Sequence, residues 1–267
     1  MLRSSIIDAL RPYNFRGKLK LLGRIAPHSG ERRTRVFGYD VRLDLGEAIQ
    51  RWMYLGAFEP KETALVKGWL RPGMTFLDVG ANFGYFTLLA ASRVGPTGRV
   101  LAVEPSPLAA GRLAENIRAN SLAWVDLFQI GLSAESGSLE LYISPAEFHS
   151  PTMSASSGGE AVTVPVRRLD ECLDEWGVEA VDLMKMDVEG HEPFVLRGAG
   201  DALSSGRIRA VLVEFNDHWL REQGSSPQEL YGIFRDAGYV DTEGAAEFLP
   251  RCCDTRFLVH RTARAAR

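Results

Sequence analysis

Through the middle of the chain, short apolar runs alternate with longer segments of helical spacing, and that alternation predicts the architecture. Strands are expected at 75–80, 99–104, 124–130, 181–186 and 209–215, with helices at 83–93, 107–120 and 169–176 between them. The apolar runs are nearly continuous, as parallel strands buried on both faces require. A further strand at 162–168, a helix at 227–237 and a terminal strand at 256–259 complete the pattern. The reading is an α/β fold with a doubly wound, mostly parallel sheet. Ahead of it, Arg35 to Leu45 alternates apolar and polar residues around Gly38, the signature of a hairpin, and residues 59–69 read as a helix stopped by Arg71-Pro72-Gly73. Residues 1–58 are therefore expected to form a helical and hairpin extension, and 59–267 the main domain.

Composition narrows this picture. A chain of 267 residues with 45% hydrophobic content has enough apolar mass for one sizeable core. Its net charge of −3 supplies no field for nucleic acid. Cys172 stands alone and Cys252 and Cys253 are adjacent, so neither a disulfide framework nor metal-type spacing is present, and a reducing cytoplasm fits. The first 24 residues carry Arg3, Arg11, Arg16, Lys18, Lys20 and Arg24 against Asp8. Their apolar positions are too interrupted for a signal peptide or a membrane span. This segment reads as a helix packed on the main domain, with peripheral contact to an anionic membrane as the rival reading. The polar stretch EFHSPTMSASSGGE, residues 147–160, reads as a loop, either an unstructured excursion or a lid over substrate.

The candidate chemistry begins at TFLDVGANFGYFT, residues 75–87, where a buried strand meets a glycine-rich turn and then a helix. Gly80 and Gly84 permit positive φ and close backbone approach, and the helix start supplies free N–H groups. The turn reads G-A-N-F-G and lacks the third glycine of a dinucleotide fingerprint. Asp78 would oppose a pyrophosphate but suits a ligand carrying an ammonium and a sulfonium, such as S-adenosylmethionine. Glu104, at the tip of the next strand, is placed to accept ribose hydroxyl hydrogens. A second group follows the strand VDLMKMD: Asp187, Glu189, His191 and Glu192, with Pro193 marking a helix start. Glu192 reads as a cap, while Asp187, Glu189 and His191 are candidates for catalysis. Glu214 and His218 end the following strand on the same rim, and His149 lies in the polar loop.

The motifs FLDVGANFGYFT, VEPSP, IGLSAESGSLEL, VRRLDE, KMDVEGHE and VEFN occur in this order over residues 59 to 216, and in this the chain resembles the FkbM-type methyltransferases of the class I S-adenosylmethionine-dependent superfamily. The resemblance implies a seven-stranded Rossmann-like sheet with one antiparallel strand near its end, and a methyltransferase domain over 59–267. It implies that Asp78, Gly80, Asn82 and Gly84 hold the methionine part of the cofactor and Glu104 the ribose. The segment Gln129 to Ser133, including Gly131 and Leu132, would line the adenine. The expected reaction is O-methylation of a sugar or other natural-product hydroxyl, with His191 or Asp187 as base. A magnesium ion held by Asp187, Glu189 and Glu214 is the alternative route. N-methylation of an amine, amide or peptide stays open, as does a non-catalytic regulator that binds the cofactor. An NAD-dependent oxidoreductase is disfavoured by Asp78 and the missing glycine.

Overall fold

The computed structural model describes residues 7, 10, 18–143, 160–242 and 253–265. Within these bounds the elements are α1 (Lys18–Ile25), β1 (Glu31–Val36), β2 (Tyr39–Asp44), α2 (Ala48–Leu55), α3 (Pro60–Trp69), β3 (Thr75–Val79), α4 (Tyr85–Val94), β4 (Arg99–Val103), α5 (Pro107–Ala119) and β5 (Val125–Phe128). They continue as β6 (Gly131–Leu132), β7 (Gly137–Ile143), β8 (Glu160–Arg167), α6 (Leu169–Glu175), β9 (Leu183–Met186), α7 (Glu192–Arg197), α8 (Gly200–Ser204) and β10 (Ala210–Asn216). The last are α9 (Asp217–Glu222), α10 (Pro227–Asp236), β11 (Tyr239–Asp241), β12 (Cys253–His260) and α11 (Arg261–Ala265).

Seven strands form one sheet in the order β11-β12-β10-β9-β3-β4-β5. From β10 to β5 every pairing is parallel, and β12 runs antiparallel to both β10 and β11. The doubly wound sheet is therefore as the apolar runs predict, and its seven strands with one antiparallel strand near the end are as the family resemblance implies. Side-chain alternation splits the core between the two faces. Phe76, Val100, Leu183 and Leu212 join α4 and the N-terminal extension in one cluster. Leu77, Leu101, Met184 and Val213 face the opposite way, against α6, α7 and α10.

The hairpin also forms, with its turn at Phe37 and Gly38, but it begins earlier than expected and pairs Glu31 with Asp44. Its outer edge is latched to α5: Asn120 Oδ1 accepts from Asp40 N at 2.8 Å, and its Nδ2 donates back to Asp40 O at 2.8 Å. Three differences from the expected elements stand out. The strand placed at 124–130 stops at Phe128, and β6 leaves for a separate sheet of order β6-β8-β7. The helices α2, α8 and α9 arise in stretches too short to show a period. The expected loop at 147–160 falls outside the described residues up to 159, and Glu160 opens β8.

Candidate active site

The C-terminal ends of β3, β4 and β9 open onto a cleft of about 240 Å³. Asp78, Gly80, Asn82, Glu104, Gly131, Leu132, Asp187, Glu189 and His191, nine of the ten predicted site residues, all line it. The tenth, Gly84, is set back. It has φ 88°, and a Cβ there would collide with Leu113 of α5, so this glycine sets how closely the helices pack. Gln129 is exposed and outside the cleft wall; from its segment only Gly131 and Leu132 reach the cleft. His218 is exposed beside Trp219, and His149 falls outside the described residues.

The turn after β3 is built by backbone geometry. Gly80 has φ 77°, and a Cβ on it would collide with the carbonyl oxygen of Asp187. Both Gly80 N and Ala81 N donate to Val103 O at 3.0 Å. Asn82 follows with φ 51°, in the left-handed region that asparagine tolerates better than most residues. Its N–H donates to Glu104 Oε2 at 2.7 Å, while Ser106 N donates to Oε1 at 2.8 Å. Each oxygen of Glu104 thus keeps a lone pair for a ligand hydroxyl. Burial pushes the Glu104 carboxyl up to about 7, against the two N–H bonds that favour its charged form.

Asp78 and Lys185 are cross-strand neighbours in the β3–β9 register. Asp78 is 1% exposed, and Thr87 Oγ1 donates to its Oδ2 at 2.6 Å. Its Oδ1 is buried with no hydrogen-bond partner. Burial raises this carboxyl above its usual range, opposed mainly by Lys185. Lys185 is 7% exposed; its Nζ donates to Asp187 Oδ2 at 2.8 Å and sits 4.9 Å from the centre of the Phe86 ring. Burial disfavours its charge, but Asp187, Glu59 and Asp78 together outweigh that and hold the ammonium protonated.

Glu59 lies at the same junction and was not singled out from the sequence. It has φ 38°, and burial raises its carboxyl to about 7. Standing before Pro60 it resembles an ordinary helix start. For Lys185 the sequence signal is its place inside the apolar run LMKM, where a lysine demands a buried counter-charge. Glu59, Lys185, Asp187 and Glu214 also line a second cavity of about 310 Å³, together with Cys253 and Thr255. Burial raises Glu214 too, and Cys253 Sγ donates to its Oε1 at 2.9 Å.

Beyond β9 the chain turns through Glu189, φ 51°, and Gly190, φ 91°, whose missing Cβ makes room for the Trp219 carbonyl. His191 then packs parallel to Phe194, with ring centres 4.7 Å apart. Its Nε2 lies 3.1 Å from Ser133 Oγ, and burial lowers its pKa to about 4, so the ring is neutral at pH 7. Glu192 does not take the cap position read from the sequence: it is the first residue of α7, His191 stands at the cap with no side-chain bond, and Glu192 Oε1 instead accepts from Val188 N of the preceding loop at 3.1 Å. The expected magnesium ligands do not assemble. Among the described residues no three His, Cys, Asp or Glu side chains are placed to share a metal ion, and the Lys185 ammonium already holds Asp187.

A glycine-shaped turn after the first sheet strand, a buried carboxylate at the tip of the second and the strand order found here define a class I S-adenosylmethionine-dependent methyltransferase. The chain matches the family model described as the methyltransferase FkbM domain over residues 78–240, and it belongs to that family. It is 31% identical over 205 residues to methyltransferase sdnD of Sordaria araneosa, covering 65% of this chain and 76% of that protein. The 31-O-demethyl-FK506 methyltransferase FkbM of Streptomyces tacrolimicus is 32% identical over 179 residues, with 55% and 67% covered. The hexuronic acid methyltransferase AglP of Haloferax volcanii is 31% identical over 160 residues, with 60% and 61% covered. Among the described residues no helix is long and apolar enough to cross a membrane.

Proposed function

We propose that this enzyme methylates a hydroxyl group of a sugar or another natural-product acceptor. The observation that carries the reading is the two-sidedness of the cleft. Gly80, Asn82 and Glu104 form a cradle on one side, and across Asp78 the Lys185–Asp187 pair leads into the second cavity. The orphaned Oδ1 of Asp78, the cradle that a Cβ would fill and the half-free Glu104 carboxylate fit S-adenosylmethionine. When bound, that cofactor supplies an electrophilic methyl group on a sulfonium. Asp78, Gly80 and Asn82 are assigned to its methionine part, with Gly84 shaping the turn from behind, Glu104 to the ribose, and Gly131 and Leu132 to the adenine.

The acceptor is assigned to the second cavity, where the carboxylates of Glu59 and Glu214 suit hydroxyl hydrogens. Methyl transfer needs alignment above all, and the rigid junction of β3 and β9 supplies it. An alcohol must also lose its proton, and a positioned base contributes on the order of 10²- to 10⁴-fold. Asp187, oriented by Lys185, and His191 are the candidate bases, with Glu189 shaping the same loop. Two relatives whose names specify a 31-O position and a hexuronic acid support a hydroxylated acceptor. The test is incubation with S-adenosylmethionine and matched panels of sugars, hydroxylated macrocycles and amines, read by mass spectrometry. Methyl ethers are expected; methylation confined to amines would overturn the reading.

A further inference from the structure

His191 and Asp187 are both candidates for the base, and the surroundings of His191 separate their roles. The imidazole is 6% exposed and forms part of the cleft wall. Phe194 fixes its plane and Ser133 holds its Nε2 edge, while Nδ1 is buried with no partner. The Ser133 backbone is held on both sides: its N–H donates to Arg167 O at 2.9 Å, and Gly198 packs so closely on its carbonyl that a Cβ there would collide.

A neutral imidazole carries one N–H, and the serine hydroxyl turns to suit it. If Nε2–H donated to Ser133, the serine proton and the bare Nδ1 would both be buried without partners among the described residues. If the serine hydroxyl donates to Nε2, a single orphan remains, the Nδ1–H. Buried donors without partners are rare in native proteins, so one that borders a ligand cleft calls for an acceptor atom. Ser133 directly follows Gly131 and Leu132, which line the cleft together with Glu104 and His191, so with Gly131, Leu132 and Glu104 assigned to the nucleoside the ring faces that part of the ligand.

We infer that His191 is not the base but a neutral hydrogen-bond donor to the nucleoside part of the cofactor, positioned by Ser133 in the Nδ1–H tautomer. The inference rests on the methyltransferase reading of the cleft, and it leaves the acceptor proton to Asp187. Titration calorimetry of the full chain with S-adenosylhomocysteine tests it, because Asn can present an amide N–H near Nδ1 and Gln presents one nearer Nε2. His191→Ala and His191→Gln should each weaken binding about tenfold, while His191→Asn should restore it to within about threefold of wild type. Ser133→Ala should weaken binding less than His191→Ala. Long-range nitrogen–proton correlation spectra of the free protein should show the Nδ1–H form, lost or mixed in Ser133→Ala. An Nε2–H form in the wild type overturns the inference. So does unchanged affinity in all the His191 variants, whether turnover survives or collapses. Wild-type protein that fails to bind S-adenosylhomocysteine would defeat the cofactor reading itself, and binding without methylation of any hydroxyl would defeat only the acceptor assignment.

Discussion

Gly80 joins two constraints, a positive φ and contact with the Asp187 carbonyl, so a side chain there must strain the backbone and push β9 away. Gly80→Val should abolish detectable S-adenosylhomocysteine binding in calorimetry while the protein still unfolds cooperatively at a lowered temperature; normal binding would mean that the turn does not contact the cofactor. Glu104 works through its carboxylate rather than its backbone. Glu104→Ala removes the proposed ribose acceptor and leaves Asn82 N and Ser106 N without their partner, so binding should weaken at least tenfold, about 1.4 kcal/mol. Undiminished affinity in that variant would place the ribose elsewhere. The cleft positions of both residues were legible in the sequence, because a glycine in a strand-to-helix turn and a carboxylate at a strand end are placed by local pattern alone. Glu59 was not, since its part depends on α3 folding back over the ends of β9 and β10.

Among the elements, β9 and the loop after it show where periodicity stops being informative. Buried parallel strands announce themselves as apolar runs, and β3, β4, β9 and β10 emerged close to their observed bounds. The strand read at 162–168 is β8, but its separate sheet with β6 and β7 was not legible, because a two-residue strand has no period and its pairing with β8 is set by tertiary contact. The Asp78–Lys185 pairing was hidden for the same reason: register between strands 107 residues apart in sequence cannot be read from either alone. Its consequence is testable. Lys185→Met leaves Asp187 unpaired and strips Asp78 of its nearby cation, and loss of one partner of a buried pair costs roughly 3–5 kcal/mol. Denaturant titration should show a fall of that order, and a neutral result would mean that solvent already screens the pair. Asp187→Asn should depress turnover with a confirmed acceptor far more than S-adenosylhomocysteine affinity. A chelator should leave wild-type turnover unchanged, because the ammonium stands where a cation would need to bind; activity lost to chelation and restored by magnesium would contradict that geometry.

Across the whole molecule the charge is unevenly shared. Residues 1–58 hold eleven Lys and Arg against five Asp and Glu, while the remainder is strongly acidic. A few of its acids, Asp78, Glu104 and Glu192 buried and Glu59 and Glu214 half-buried, surround the cleft and shape the pH response of the fold. Burial raises Glu59 and Glu104 to about 7 and Glu192 to about 8. For Glu192, hydrogen bonds from its own N–H and from Val188 N oppose the shift, and the neighbouring charges of Asp187 and Glu214 add to it. A carboxyl whose folded pKa lies above its unfolded value binds its proton more tightly in the native state. Its stabilising contribution is complete below about pH 4.5 and disappears as pH rises through 7 to 8. The protein should therefore lose stability from pH 5 to pH 8, opposite to the behaviour of a fold held by salt-bridged carboxylates. Glu192→Gln isolates the effect, since the amide oxygen can still accept from Val188 N but does not titrate. The variant should match wild type at pH 5 and exceed it at pH 8 by about 3 kcal/mol, from roughly 1.4 kcal/mol per pKa unit discounted for relaxation. Thermal unfolding at the two pH values decides the matter: a gap that is absent at pH 8, or that favours wild type there, would show that Glu192 stays ionised in the native state.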